Sequence, residues 1–167
     1  MTGNANVDAA TAIVLNKVAE LNAVKADAVK VIRDNFKDLF IGFFEKHPAV
    51  ECIGWTQYTP YFNDGDTCEF NVNDFGYRTF ADADNDQYIW GECVTGRYYD
   101  YTTRSYVVGL SENQITLGYT EEMCADWNEL NSALRGIPDD IYEDLFGDHA
   151  QVTVTREGVT VDEYEHD

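Results

Sequence analysis

A chain of 167 residues suits one domain, and its 14% aromatic content supplies the burial that disordered acidic chains lack. Its 31 Asp and Glu against 11 Lys and Arg give a formal charge of −20, a field that repels nucleic acid and anionic membranes and attracts basic surfaces. No apolar run approaches the roughly 20 residues of a bilayer span and no basic-then-apolar leader opens the chain, so the expectation is a soluble, cytoplasmic protein that touches neither nucleic acid nor membrane.

From Asp8 to Lys46 the sequence is helical, with Gly42 as its one glycine and His47-Pro48 as its stop. Val14, Val18, Leu21, Lys25, Ala28, Ile32, Asn35 and Leu39 fall at alternating four- and three-residue steps, a heptad-like seam with two polar interruptions. Such a helix, continuous or broken near Asn22 to Lys25, either folds back as a hairpin on the rest of the chain or pairs with a second copy. In the second case Val14, Val18, Leu21, Ala28, Ile32 and Leu39 form the oligomerisation seam of a homodimer. Phe36, Phe40, Phe43 and Phe44 make its C-terminal end apolar all round, as docking on a core requires.

After Pro48 the period shortens. Val50, Cys52, Trp55, Tyr58, Phe70 and Val72 read as strands, and Asn63-Asp64-Gly65-Asp66 offers the positive-φ residues of a turn between them. Further strands are expected over 87–95, 97–103, 105–109 and 115–119. Thr120 caps a helix that opens with Glu121 and Glu122 and stops at Gly136; Pro138-Asp139-Asp140 opens a shorter one ending near Phe146-Gly147. Val152 and Val154, a turn at Arg156-Glu157-Gly158, then Val159 and Val161 form a closing hairpin. The expected fold is α+β: a long N-terminal helix or helical hairpin, a mainly antiparallel sheet in the middle, two C-terminal helices and a terminal β-hairpin. A helical arm over 1–47 precedes an acidic domain over 48–167.

Charge is unevenly shared. Residues 1–50 hold six acids and six bases, whereas residues 51–167 hold 25 acids against five bases, all arginines. A halophilic adaptation would acidify the whole chain, so the asymmetry points to a protein partner with a basic surface, of the kind built to grip phosphates. The exposed acids expected to meet it are Asp82, Asp84, Asp86, Asp139, Asp140, Glu143, Asp144, Asp162, Glu163 and Glu165.

Signals for chemistry are weak. Asp82, Asp84 and Asp86 take the first, third and fifth places of a calcium loop, but Gln87 stands where that loop needs glycine and Cys93 where it needs glutamate. An exposed acidic loop is the simpler reading. His47, His149 and His166 form no metal-binding spacing, and His149 beside Asp148 reads as a turn residue before it reads as an oriented base. Cys52, Cys68, Cys93 and Cys124 contain no C-x-x-C pair and read as reduced, buried thiols. No phosphate-cradling glycine loop or nucleophile elbow appears, so no catalytic residue, metal or cofactor is expected. The string "RYYDYTTRSY" over 97–106 reads as cross-strand packing, with an interface as its alternative.

The segments "ECIGWTQYTPYFNDGDTCEF" and "FGDHAQVTVTREGVTVDEYEHD" resemble small acidic proteins of tailed bacteriophages that have no assigned activity. The resemblance implies an accessory protein acting inside a bacterial cell. Combined with the charge map it implies a non-enzymatic inhibitor or modulator of a host protein, with carboxylates standing in for DNA phosphates. The alternatives are an assembly protein that oligomerises through its N-terminal helix and a metal-dependent enzyme.

Overall fold

The computed structural model describes residues 4–62, 65, 67–82 and 94–165. The chain is α+β and divides into two compact units, Met1–Phe36 and Lys37–Asp167. The division also separates charge. Asp8, Glu20, Asp27 and Asp34 balance Lys17, Lys25, Lys30 and Arg33 in the first unit, so the second carries the whole −20.

The first unit is one helix, α1 (Asn4–Asn35), about 48 Å long at about 1.5 Å of rise per residue. It lacks glycine and proline and is rich in alanine, the best helix former, and it runs unbroken through Asn22 and Lys25. The break comes instead at Phe36 and Lys37. The Asn35 amide there turns back to donate to the Val31 carbonyl (2.7 Å), and the Phe36 N–H donates to the Arg33 carbonyl (3.5 Å). Asparagine competes for backbone partners in this way, which favours an end over a continuation.

The second unit begins with α2 (Asp38–Lys46), which buries Phe40, Phe43 and Phe44 and ends at His47. This phenylalanine face assigns the end of the expected long helix to the acidic unit, and Leu39 of the expected seam with it. Next come β1 (Val50–Tyr58), β2 (Asn71–Val72) and β3 (Gly76–Thr79), then β4 (Arg97–Asp100) and β5 (Ser105–Val108). The remaining elements are α3 (Glu112–Thr116), α4 (Glu121–Arg135), α5 (Asp139–Phe146), β6 (Ala150–Val154) and β7 (Val159–Glu163).

One antiparallel sheet has the order β2-β1-β6-β7, and β3 also pairs with β1. Register puts Ile53, Trp55 and Gln57 beside Val154, Val152 and Ala150, all on one face, because side chains alternate along a strand. Helices cover that face. Trp55 meets Phe75, Tyr142 and Phe146, while Tyr77 meets Phe43, Tyr119 and Trp127. Trp55 and Trp127 are both fully buried.

Two expectations change here. The 115–119 segment is not a strand: Ser111 and Gln114 form a reciprocal capping box that starts α3, and Gly118 takes a positive φ to leave it. Serine followed three residues later by glutamine is a helix-start signal that outweighs the β-branched Ile115. The strands expected over 97–103 and 105–109 are shorter, because 101–104 is a turn in which Asp100 accepts from Thr102 N–H (2.7 Å) and Arg104 has φ 52°. Of the turn expected at 63–66 only Gly65 is described, with φ 97°, and the strand expected over 87–95 lies outside the described residues except for Val94 and Thr95.

Side chains distant in sequence fasten the layers. His47, almost fully buried, meets Asp126 on α4 at 2.6 Å, and Lys46 meets the same carboxylate at 2.7 Å. Arg156, in the β6–β7 turn, donates to the carbonyls of Val50 (2.5 Å), Phe44 (3.2 Å) and His47 (3.2 Å) and lies over the Phe44 ring. Arg78 pairs with Glu51 at 2.6 Å, and Arg135 with Asp74. These arginines are therefore engaged within the unit.

Candidate functional site

Proline at 138 cannot donate and its fixed φ suits a helix start, so α5 begins at Asp139 with two carboxylates on its positive end. Ile141 and Tyr142 turn inward and are buried, and the Tyr142 hydroxyl donates to the Leu134 carbonyl (2.8 Å). Periodicity then sends Asp139, Asp140, Glu143 and Asp144 outward, where all four are exposed. A rigidly seated helix thus carries a contiguous acidic surface. Burial, and then the charge of Asp139, raise the Tyr142 phenol well above its ordinary value.

The other expected acids lie elsewhere. Asp162 and Glu163 are exposed on β7, the edge strand on the far side of β6 from β1, and alternation points them to opposite faces; Glu165 follows, also exposed. Such charges guard a free strand edge. Asp82 is half-buried and accepts from the Tyr119 hydroxyl (2.7 Å), while Asp84 and Asp86 lie outside the described residues. Among the described residues these carboxylates therefore do not all share one face, and α5 holds the compact group. Among the described residues, no group of three or more His, Cys, Asp and Glu is placed to hold a metal ion.

Near the loop after α5, Asp148 accepts from the backbone N–H groups of Thr59 (2.7 Å) and His149 (2.8 Å), and the His149 ring stacks on Tyr61 at 4.8 Å. His149 takes φ 53°, so it fills a turn position. On the β4–β5 hairpin, Tyr99 pairs across the strands with Tyr106 edge to face, Arg97 lies over the Tyr106 ring, and Tyr101 and Tyr106 remain exposed. The 97–106 string is thus cross-strand packing with an open outer face.

Cys52 and Cys124 are buried, and burial raises both thiols above their ordinary value. A thiol reagent should label them on the order of 100-fold more slowly in the native protein than in denaturant, with half-buried Cys68 ahead of both, as read by peptide mass mapping.

Several carboxylates titrate low. The Lys46 ammonium, and then His47, hold Asp126 below the usual range, and backbone N–H bonds led by Thr102 do the same for Asp100. At Asp148 burial pushes upward, but bonds from Thr59 and His149 outweigh it. Carboxylates lowered in the fold stabilise it above their unfolded pKa near 4, and that contribution disappears as pH falls through the folded values. Self-repulsion at −20 acts the other way and eases as acids protonate. The melting temperature at low salt should therefore rise from about pH 8 to about pH 5 and fall below about pH 3.5, and salt should raise it more at pH 8 than at pH 5. Calorimetry across pH and salt checks both trends.

Comparison with known proteins finds no matching family model, curated protein or solved structure. No helix among the described residues is long and apolar enough to cross a membrane. The sequence missed the fastening roles of His47, Gln57 and Arg156, whose partners lie far along the chain; only the fold brings them together.

Proposed function

We propose that this protein acts by binding, presenting the α5 carboxylates to a basic, phosphate-gripping surface of a partner protein and keeping nucleic acid from it. The observation that supports this most is charge density on a rigid support. Four exposed carboxylates in the six residues from Asp139 to Asp144 amount to one charge per about 2 Å of helix axis, against about 1.7 Å for duplex DNA. Arginine and lysine that grip phosphate oxygens take carboxylates through the same charge-assisted hydrogen bonds. The resemblance to tailed-phage proteins supplies the setting, a bacterial cytoplasm, and the partner class, a host DNA-binding or defence protein. No catalytic residue enters this reading.

The test is capture from bacterial lysate at low salt, with duplex DNA as eluant. The variant Asp139→Asn/Asp140→Asn/Glu143→Gln/Asp144→Asn should retain the captured protein at least about 30-fold less well. Glu143→Gln/Asp144→Asn, which leaves the charged helix start intact, should fall between. Equal retention by wild type and the fourfold variant would overturn the reading.

A further inference from the structure

The outer edge of β7 carries backbone groups that β6 does not use. At the two ends of the hairpin, Thr155 N–H donates to the Gly158 carbonyl (2.8 Å) and Tyr164 N–H to the His149 carbonyl (2.7 Å). These bonds fix the phase of the ladder, because opposed residues of an antiparallel pair alternate between bonded and non-bonded. Thr160 and Asp162 are therefore bonded to Thr153 and Gln151, whereas Val159, Val161 and Glu163 aim N–H and C=O away from β6. β7 ends the sheet order, so among the described residues no strand meets those groups. Val161, opposite the fully buried Val152, is 48% exposed, so the helix-covered face of the sheet runs out at this edge.

We propose that this edge takes up an extended, lysine- or arginine-rich segment of a partner protein as an added strand. Free ladder groups are completed by another extended main chain, and charge decides which chain that is. From Glu157 to Glu165 the sequence holds four acids and no base, and all four acids are exposed. Arg156, just before them, is committed to the carbonyls of Phe44, His47 and Val50. A second β7 would bring the same carboxylates and is turned away, so the charges that guard the edge against copies of this chain select a basic one. In the added strand, main-chain groups bond Val159, Val161 and Glu163, an apolar side chain extends the face at Val161, and cations lie beside Asp162 on one face and Glu163 on the other. The site rests on β7 alone, and it can fail or hold separately from the α5 reading.

The test titrates the full chain, at physiological salt, with a short end-blocked peptide in which lysine alternates with valine. At saturation, amide exchange at Val159, Val161 and Glu163 should slow at least about tenfold, while Thr160 and Asp162, already bonded to β6, change little. Methylating every backbone nitrogen of the peptide keeps its charge and removes its donors, and should weaken binding at least about tenfold. Val161→Pro deletes one outward N–H without touching the β6 ladder and should weaken binding at least about fivefold. The fourfold α5 variant should bind the peptide within about threefold of wild type, because those carboxylates contribute only through a screened field. No binding at millimolar peptide, edge amides that exchange unchanged at saturation, equal binding of the methylated peptide, or binding lost with the α5 carboxylates would overturn the proposal.

Discussion

Gln57→Leu is expected to lower the unfolding free energy by about 3 kcal/mol, although leucine fits the space closely. Gln57 is fully buried on the helix-covered face of β1. Its carbonyl accepts the Trp55 indole N–H (3.0 Å), and its amide donates to the carbonyls of Tyr142 (3.1 Å) and Gly147 (2.6 Å). One side chain thus ties the core tryptophan to the middle of α5 and to Gly147, which caps its end. Leucine removes a donor and an acceptor at once and leaves buried groups to lose their water without a replacement. Gln57→Glu separates shape from hydrogen bonding. Burial raises a carboxyl above its unfolded value near 4.3, so below that pH the neutral variant, whose single O–H serves one of the two carbonyls, should keep only part of the wild-type stability, and it should lose more as pH rises through the raised value. Urea unfolding at pH 4 and pH 8 reads the difference.

Arg156→Ala is expected to cost about 2 kcal/mol, less than three ideal charged hydrogen bonds because the guanidinium is partly open to water. The last carbonyls of a helix lack intrahelical partners, and Arg156 supplies donors to Phe44 and His47 as well as to Val50 at the start of β1. Its charge also sits at the negative end of the α2 dipole. A lysine keeps the charge but not the planar fork, so Arg156→Lys should recover less than half of the loss. Amide exchange should quicken first at His47 and Val50, whose N–H groups bond to Phe43 and His47.

What was legible in the sequence was local. Thr120 caps α4 by accepting from Met123 N–H, Glu121 and Glu122 occupy its first turn, and Gly136 follows its end, all readable from residue type and order. Pro138 and its two aspartates announced α5, and the valine alternation of 152–161 announced the closing hairpin. The α3 capping box was present in Ser111 and Gln114 but was masked by the apparent strand character of Ile115 and Leu117. The fastenings were not readable, because His47 meets a residue 79 positions away and Arg156 one 112 away, and nothing in either neighbourhood names its partner. The acids could be counted but not arranged. Alternation along β7 splits Asp162 from Glu163, whereas helical periodicity with an inward Tyr142 gathers Asp139, Asp140, Glu143 and Asp144.

The measurement that bears most directly on the proposed role is a competition titration. Labelled duplex DNA is bound to a captured partner, this protein is added, and anisotropy is followed at several salt concentrations. Displacement of the DNA at low salt, weakening steeply as salt rises and lost in the fourfold α5 variant, is the predicted result. DNA that stays bound while this protein joins it, or displacement that is indifferent to both salt and the α5 carboxylates, would contradict the account.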